Sequence, residues 1–270
     1  MAKFTSAVIL AAGNGTRFGG SVKKQFVDVL GVPCVVRTVD AFEKCSLIDE
    51  IILVGDTEAL TELFDQYEFK KISMIVSGGE TRQDSALLGF DSVSDKSKFV
   101  AIHDAARCLV TPEMIEATVK EAYKHRAAAS AHKSEDTVKI ADKKGFVVKT
   151  TDRDKIWLVQ TPQVFQNDVY RVSAYMAKRD EETVTDDCML CENLGFDIKL
   201  VECGRENLKL TTPEDLLLAE AIVAYREKLA AKKEEPKKAE TKKAVPKKVK
   251  EVKCELDTAT MLTVLRTEKK

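Results

Sequence analysis

The sequence predicts an α/β fold: a mostly parallel, twisted sheet with flanking helices and a projecting β-hairpin arm. Three observations lead there. Short β-rich apolar runs alternate with stretches of helical spacing, which is the pattern of βαβ units. A glycine-rich segment follows the first apolar run, where an open parallel sheet binds its ligands. One later stretch alternates at period two around a turn sequence, as a hairpin does.

In chain order, the strands are AVIL (7–10), EIILVG (50–55), ISMIVS (72–77), FVAIHD (99–104) and AAASAH (127–132). Helix starts are marked at Thr111-Pro112-Glu113 and at Thr212-Pro213-Glu214-Asp215. The second combines an N-cap threonine, proline at the first helical position and an acid three residues on. The arm spans about 134–160, where DTVKIADKKGFVVKTTDRDKIW alternates around DKKG. A two-stranded ribbon leaves one face without a core, so the arm is expected to pack on a second subunit.

A catalytic domain is expected over 1–229. From 230 to 270 the composition changes, and residues 231–253 hold 10 Lys and 4 Glu, a local charge of +6. So lysine-rich and proline-punctuated a segment buries too little apolar surface to fold alone. It reads as a disordered extension, either a solvated linker or a holder of an anionic partner. Its last part, CELDTATMLTVLRTEKK, is a frayed tail or a short docking helix.

Charge and composition exclude several classes. The formal net charge is -1 and aromatic residues make up 6% of the chain. That argues against a whole-molecule electrostatic footprint for nucleic acid and gives little stacking surface for single strands. No window approaches the roughly 18 apolar residues of a membrane span. The seven cysteines are scattered, and MAKFTSAVIL is too short in its apolar run for a signal peptide. A reduced, cytoplasmic protein is expected. Cys188 and Cys191 have a metal-like spacing but no second pair or nearby histidine, so they are read as ordinary helix cysteines.

The first loop, AAGNGTRFGGSVKKQF, is placed to hold phosphate on free backbone N–H groups. It is not a P-loop, because Ser21-Val22 follows Gly20 where Lys-Ser/Thr is needed. Nor is it a dinucleotide fingerprint, because Phe18 stands where the third glycine or alanine belongs. It brings its own cations instead, Arg17 and Lys24. Such charges suit attack on an α-phosphate with departure of pyrophosphate. A second loop, SGGETRQDS (77–85), permits close approach to its glycines, and Ser85 lies near a helix start. A third, HDAAR (103–107), puts Asp104 at a strand's carboxyl end, where an acid can hold Mg²⁺ against phosphates. Arg107 follows, suited to an anionic second substrate. His103 is read as structural.

AAGNGTRFGG with KQF, GGETRQDS, HDAAR, DTVK, TTDRDKIWLVQTPQVF, VTDD and GRENLKLTTPEDLLLAE occur in one order and spacing. Over about residues 5–225 that set resembles the 2-C-methyl-D-erythritol 4-phosphate cytidylyltransferase family. The resemblance implies a Rossmann-like nucleotidyltransferase fold and a homodimer joined by the arm. It also implies Mg²⁺-dependent transfer of CMP from CTP to a polyol phosphate, with release of pyrophosphate. Arg17 and Lys24 would stabilise charge on the α-phosphate and leaving group. Ala11, Ala12, Gly13, Gly15, Gly79, Glu80 and Ser85 would line the nucleotide site, with Arg82 bracing it. Asp104 would orient the acceptor and lie near the metal. Arg107, Thr137, Arg153 and Lys209 would bind the acceptor, with Thr137 and Arg153 reaching the neighbouring subunit's site from the arm. Thr161 and Thr185 would be peripheral binders.

Three departures from the family pattern stand out. Lys23 replaces the proline usual before the loop lysine, Cys108 replaces the proline usual after HDAAR, and AHKSEDTVK lacks a proline before DT. Two other activities stay open on the sequence: CMP transfer to another polyol phosphate such as ribitol 5-phosphate, and nucleotide binding without turnover.

Overall fold

In the computed structural model, residues 3–13 and 23–234 are described. The chain divides into a unit of Met1–Ala230, which carries every strand among the described residues, and a second of Ala231–Lys270. Beyond Glu234, the lysine-rich extension and its possible docking helix lie outside the described residues.

The strands are β1 (Thr5–Leu10), β2 (Asp28–Val29), β3 (Val32–Pro33), β4 (Glu50–Gly55), β5 (Ile72–Ser77), β6 (Phe99–Asp104), β7 (Ala127–Lys133), β8 (Lys139–Ala141), β9 (Val147–Thr150), β10 (Trp157–Gln166) and β11 (Lys199–Glu202). The α-helices are α1 (Cys34–Lys44), α2 (Thr57–Phe64), α3 (Arg82–Asp91), α4 (Pro112–His125), α5 (Asn167–Arg179), α6 (Asp187–Asn193) and α7 (Pro213–Glu234). Seven strands form one sheet in the order β11-β7-β10-β6-β1-β4-β5. β1 is parallel to both neighbours, and β4 is parallel to β5. β10 runs antiparallel between β6 and β7, and β11 is parallel to β7.

Being covered on both faces explains the apolar runs. All six residues of β1, β4 and β6 are buried. Along β1, Ala7 and Ile9 face a core shared with α1, α2 and α4, which includes Val39, Phe42, Leu60 and Ile115. Val8 and Leu10 face the other core, with Phe90 of α3, Tyr170 of α5 and Leu190 of α6. This alternation is the strand period of two.

The marked helix starts are present. Thr111 caps α4, its hydroxyl accepting from the Met114 N–H, with Pro112 as the first helical residue. Asp215 accepts from the Thr211 and Thr212 N–H groups at 2.8 Å each, closing the start of α7. α3 opens with a full capping box between Thr81 and Asp84.

The arm is shorter than the sequence reading. β8 and β9 pair antiparallel and form their own two-stranded sheet, but Trp157–Gln166 rejoins the main sheet as β10. In its turn, Gly145 has φ +86 and Asp142 accepts the Lys144 and Phe146 N–H groups, both at 2.9 Å; only glycine takes that φ without strain. Every residue of β8 and β9 is exposed, and Phe146 is 71% accessible. The α6 cysteines, Cys188 and Cys191, pack into the core. Burial raises both thiols' pKa values, that of Cys191 to about 12.

Candidate active site

The register of the central strands assembles the site. Leu10 pairs with both Asp104 and Val54, and Gly55 pairs with Ser77. The carboxyl ends of β1, β4, β5 and β6 therefore stand side by side. They open onto a cleft of about 390 Å³ lined by Ala11, Ala12, Gly13, Lys24, Gln25, Gly79, Glu80, Thr81, Arg82, Ser85, Asp104 and Lys209, among others.

The two glycine loops meet there. A Cβ on Gly78 would stand 2.3 Å from the Ala12 Cβ, so only glycine lets the loops approach this closely. The Ser85 hydroxyl accepts from the Gly79 N–H at 3.0 Å and donates to the Thr81 carbonyl at 2.9 Å. It shapes the loop that lines the cleft. Lys24 lies against Gly13, its Cε 4.0 Å from where a Cβ would be. Gln25, 2% exposed, donates to the Ala11 carbonyl at 2.6 Å and ties the two ends of the first loop together.

Asp104 is the electrostatic centre. The Arg82 Nε donates to its Oδ1 at 3.0 Å and the Lys209 Nζ to its Oδ2 at 2.7 Å. Burial alone would raise the Asp104 pKa, but the attraction of Arg82 and Lys209 outweighs it and holds the carboxyl well below the ordinary range. Arg82 also donates to Asp187 Oδ2 at 2.7 Å, and Tyr170 donates to Asp187 Oδ1 at 2.9 Å. Burial opposes the Arg82 charge, but Asp187 and Asp104 overcome it and raise its pKa.

Beneath Asp104 runs a relay. The Asp104 N–H donates to the Thr161 hydroxyl at 3.0 Å, and Thr161 lies 3.0 Å from His103 Nδ1. His103 Nε2 lies 3.3 Å from the Arg107 carbonyl, which can only accept. Nε2 therefore carries a proton, and in the neutral ring Nδ1 accepts from Thr161. Burial accordingly pushes its pKa down to about 3. His103 is structural, as the sequence reading has it.

Several expected binders stand elsewhere. Arg107 is not among the cleft-lining residues; its Nη1 donates to the Asn207 carbonyl at 2.8 Å, and burial lowers its pKa. Thr161 is 3% exposed with its hydroxyl engaged, so it lies under the site rather than facing it. Thr137 and Arg153 lie on the arm, where Arg153 donates to the Glu135 carbonyl. Thr185 is exposed beside Met189. Gly15 and Arg17 fall outside the described residues. Sequence reasoning missed Gln25, Asp187 and Asn207, all buried and polar. Asn207 donates to Thr161 O at 2.8 Å and Gln160 Oε1 at 3.1 Å, seating the segment that carries Lys209. Their only signal was that they fall inside recognised motifs.

A family model described as IspD, 2-C-methyl-D-erythritol 4-phosphate cytidylyltransferase, matches residues 5–225. The chain belongs to this family. The family's namesake from Clostridium botulinum (strain 657 / Type Ba4) is 40% identical over 81% of this chain and 96% of its own length. That from Caldanaerobacter subterraneus is 41% identical over 80% and 96%. The crystal structure of 4-diphosphocytidyl-2C-methyl-D-erythritol synthase from Anaerococcus prevotii superposes with a TM-score of 0.74 at 32% identity. It covers 83% of this chain and 97% of that one. The cytidylyltransferase family match thus spans the sheet, the cleft and the arm, and ends within α7.

The fit of a divalent cation can be judged from the donors. Among the described residues, no group of three His, Cys, Asp or Glu side chains converges as a metal cage. Asp104 and Glu80 are the carboxylates lining the cleft. That donor set suits Mg²⁺, which keeps its waters and binds one or two carboxylates together with substrate phosphates. No described helix is long and apolar enough to cross a membrane.

Proposed function

We propose that this chain transfers CMP from CTP to 2-C-methyl-D-erythritol 4-phosphate and releases pyrophosphate, serving isoprenoid precursor synthesis. One observation carries the reading: a cleft between two glycine loops holds Asp104 fixed by Arg82 and Lys209, with Lys24 also lining it, in a chain of this family. The backbone of Ala11, Ala12, Gly13 and Gly79 holds the nucleotide. Gly15 belongs with them to the nucleotide site, and Lys24 and Arg17 neutralise the triphosphate. Asp104 and Glu80 would hold a Mg²⁺ that arrives with CTP, and that ion would supply further charge neutralisation on the phosphates.

The acceptor's phosphate oxygen attacks the α-phosphorus in line, and pyrophosphate leaves from the opposite side. That nucleophile is already anionic, so no residue has to remove a proton. His103, neutral and buried with both nitrogens engaged, is consistent with this. Catalysis then rests on positioning and on fixed cations. Lys209 serves the acceptor and Asp104 orients it through Lys209, while Arg107 seats the Asn207 segment that leads to Lys209.

The exposed arm, with Phe146, Val147 and Val148 each more than 60% accessible, supports a homodimer in which Thr137 and Arg153 reach the partner's acceptor site. We place the protein in the cytoplasm, with 230–270 as a separate extension. The test is pyrophosphate release from CTP and Mg²⁺ with each acceptor alone. Preference for 2-C-methyl-D-erythritol 4-phosphate supports the reading, and preference for ribitol 5-phosphate overturns it. CTP binding without turnover on either would mark a silent nucleotide-binding protein.

A further inference from the structure

Four charges of alternating sign run in a chain from the interior into the cleft: Asp187, Arg82, Asp104 and Lys209, joined at 2.7, 3.0 and 2.7 Å. The inner end is the most deeply set. Asp187 is 1% exposed, whereas the side chains of Arg82 and Lys209 are 31% and 33% exposed.

Asp187 is also firmly anchored. It is the first residue of α6, and Gln163 of β10 pins that helix start: its Nε2 donates to Asp186 Oδ2 at 2.9 Å and its Oε1 accepts from the Cys188 N–H at 3.1 Å. The Tyr170 hydroxyl, donating to Oδ1 at 2.9 Å, fixes the carboxylate of Asp187. The Tyr170 ring is held in turn by Phe90 and Phe165, with ring centroids 4.9 and 5.4 Å away.

The middle of the chain is a competition for one carboxylate. Arg82 reaches Asp104 through Nε alone, at Oδ1, while its Nη1 is drawn to Asp187 and Oδ2 of Asp104 is left to Lys209. A guanidinium released from Asp187 can turn to meet both oxygens of Asp104, the fork that arginine favours with a carboxylate. It would then take Oδ2 from Lys209. We propose that Asp187 is a positioning residue: by holding Arg82 to a single oxygen of Asp104 it keeps the other for Lys209, and so fixes that ammonium at the cleft wall.

The charges favour the same arrangement. With Asp187 in place, two acids serve two bases and the chain is neutral; without it, Arg82 and Lys209 must share one buried carboxylate. The positioning stands on this ion-pair geometry, whereas its effect on turnover rests on the proposed service of Lys209 to the acceptor.

The test reads Lys209 directly. The full-length protein is treated briefly with the N-hydroxysuccinimide ester of acetic acid, and acetylation of Lys209 is measured against that of the exposed Lys120. Trypsin then leaves 206–226 uncut where Lys209 is acetylated and yields 210–226 where it is not. Asp187→Asn keeps the shape of the side chain and loses its charge. As a second variant, Asp187→Leu with Tyr170→Phe replaces both members of the buried pair by apolar groups of similar shape, which folded proteins tolerate far better than one orphaned partner. Acetylation of Lys209 in the double variant should rise about tenfold, the scale of one charge-assisted hydrogen bond lost. It should rise less in Asp187→Asn, whose oxygen still accepts from Arg82, and stay at the parent level in Tyr170→Phe, which keeps all four charges. The acceptor KM should rise in the same order, and more than that of CTP. Parent-level acetylation in a double variant shown to be folded by circular dichroism would overturn the positioning. Raised acetylation with an unchanged acceptor KM would support the positioning and overturn the assignment of Lys209 to the acceptor.

Discussion

Arg82 and Asp104 meet at 3.0 Å, joining the first residue of α3 to the last residue of β6. The same guanidinium holds Asp187 at 2.7 Å, and Asp187 is 1% exposed. One side chain thus locks the second glycine loop to the strand end that carries the central carboxylate. Arg82→Ala leaves two buried carboxylates short of their partner, which costs about 3–5 kcal/mol where such a pair is broken. Arg82→Lys keeps the charge but cannot fork between both acids. Urea unfolding should therefore rank the parent above Lys and Lys above Ala, and equal midpoints would remove the locking role.

The His103–Thr161 relay makes a pH prediction. The folded pKa of about 3 lies below the ordinary 6.5, so the unfolded chain takes up a proton that the folded chain refuses. The stability from the neutral ring is complete above pH 6.5. It is lost as pH falls from there toward 3, at about 1.4 kcal/mol for each pH unit. Ring resonances in an NMR titration should show His103 neutral at pH 5 with its proton on Nε2. A midpoint near 6.5 would contradict the relay.

Lys23 has a physical account. Its φ of -62 and ψ of 134 are the angles that proline adopts, and its Nζ lies 3.1 Å from Asp56 Oδ2, at the N-cap of α2. A backbone shape that proline could take is kept, with an exposed ion pair added to it. Lys23→Pro should retain turnover and a melting temperature within about 4 °C of the parent. A large loss of activity would show that the charge itself is needed.

The arm predicts an asymmetric kinetic effect. Arg153 is exposed and absent from its own chain's cleft, so Arg153→Ala should raise the acceptor KM about tenfold or more, the scale of one lost charge-assisted contact, while barely changing that of CTP. Equal changes in both would detach Arg153 from the acceptor.

The legible parts of the fold were those dictated by local chemistry. Strands buried on both faces read as apolar runs, and Thr111 with Pro112 and Thr212 with Asp215 are helix starts written in adjacent residues. β10 was illegible because its first residues continue the period-two pattern of the arm; only pairing with β6 and β7 separates them. The cleft's loops were visible through their glycines. The groups that hold them were not, since Asp187 and Asn207 act on residues 105 and 46 positions away. Thr161 entered as a peripheral binder only through the family resemblance, and the sequence does not show that its hydroxyl lies between the Asp104 N–H and His103. Lys23 looked anomalous because a sequence does not display φ or the position of Asp56.

The central claim is that the cleft around Asp104 is where CMP is transferred. Asp104→Asn keeps the shape of the side chain and removes the charge that fixes Lys209. Its pyrophosphate release with CTP, Mg²⁺ and 2-C-methyl-D-erythritol 4-phosphate should fall about 100-fold or more, the scale seen when a charge-stabilising group is lost, with the folded state verified by circular dichroism. Turnover equal to the parent's in a folded Asp104→Asn protein would place the reaction elsewhere.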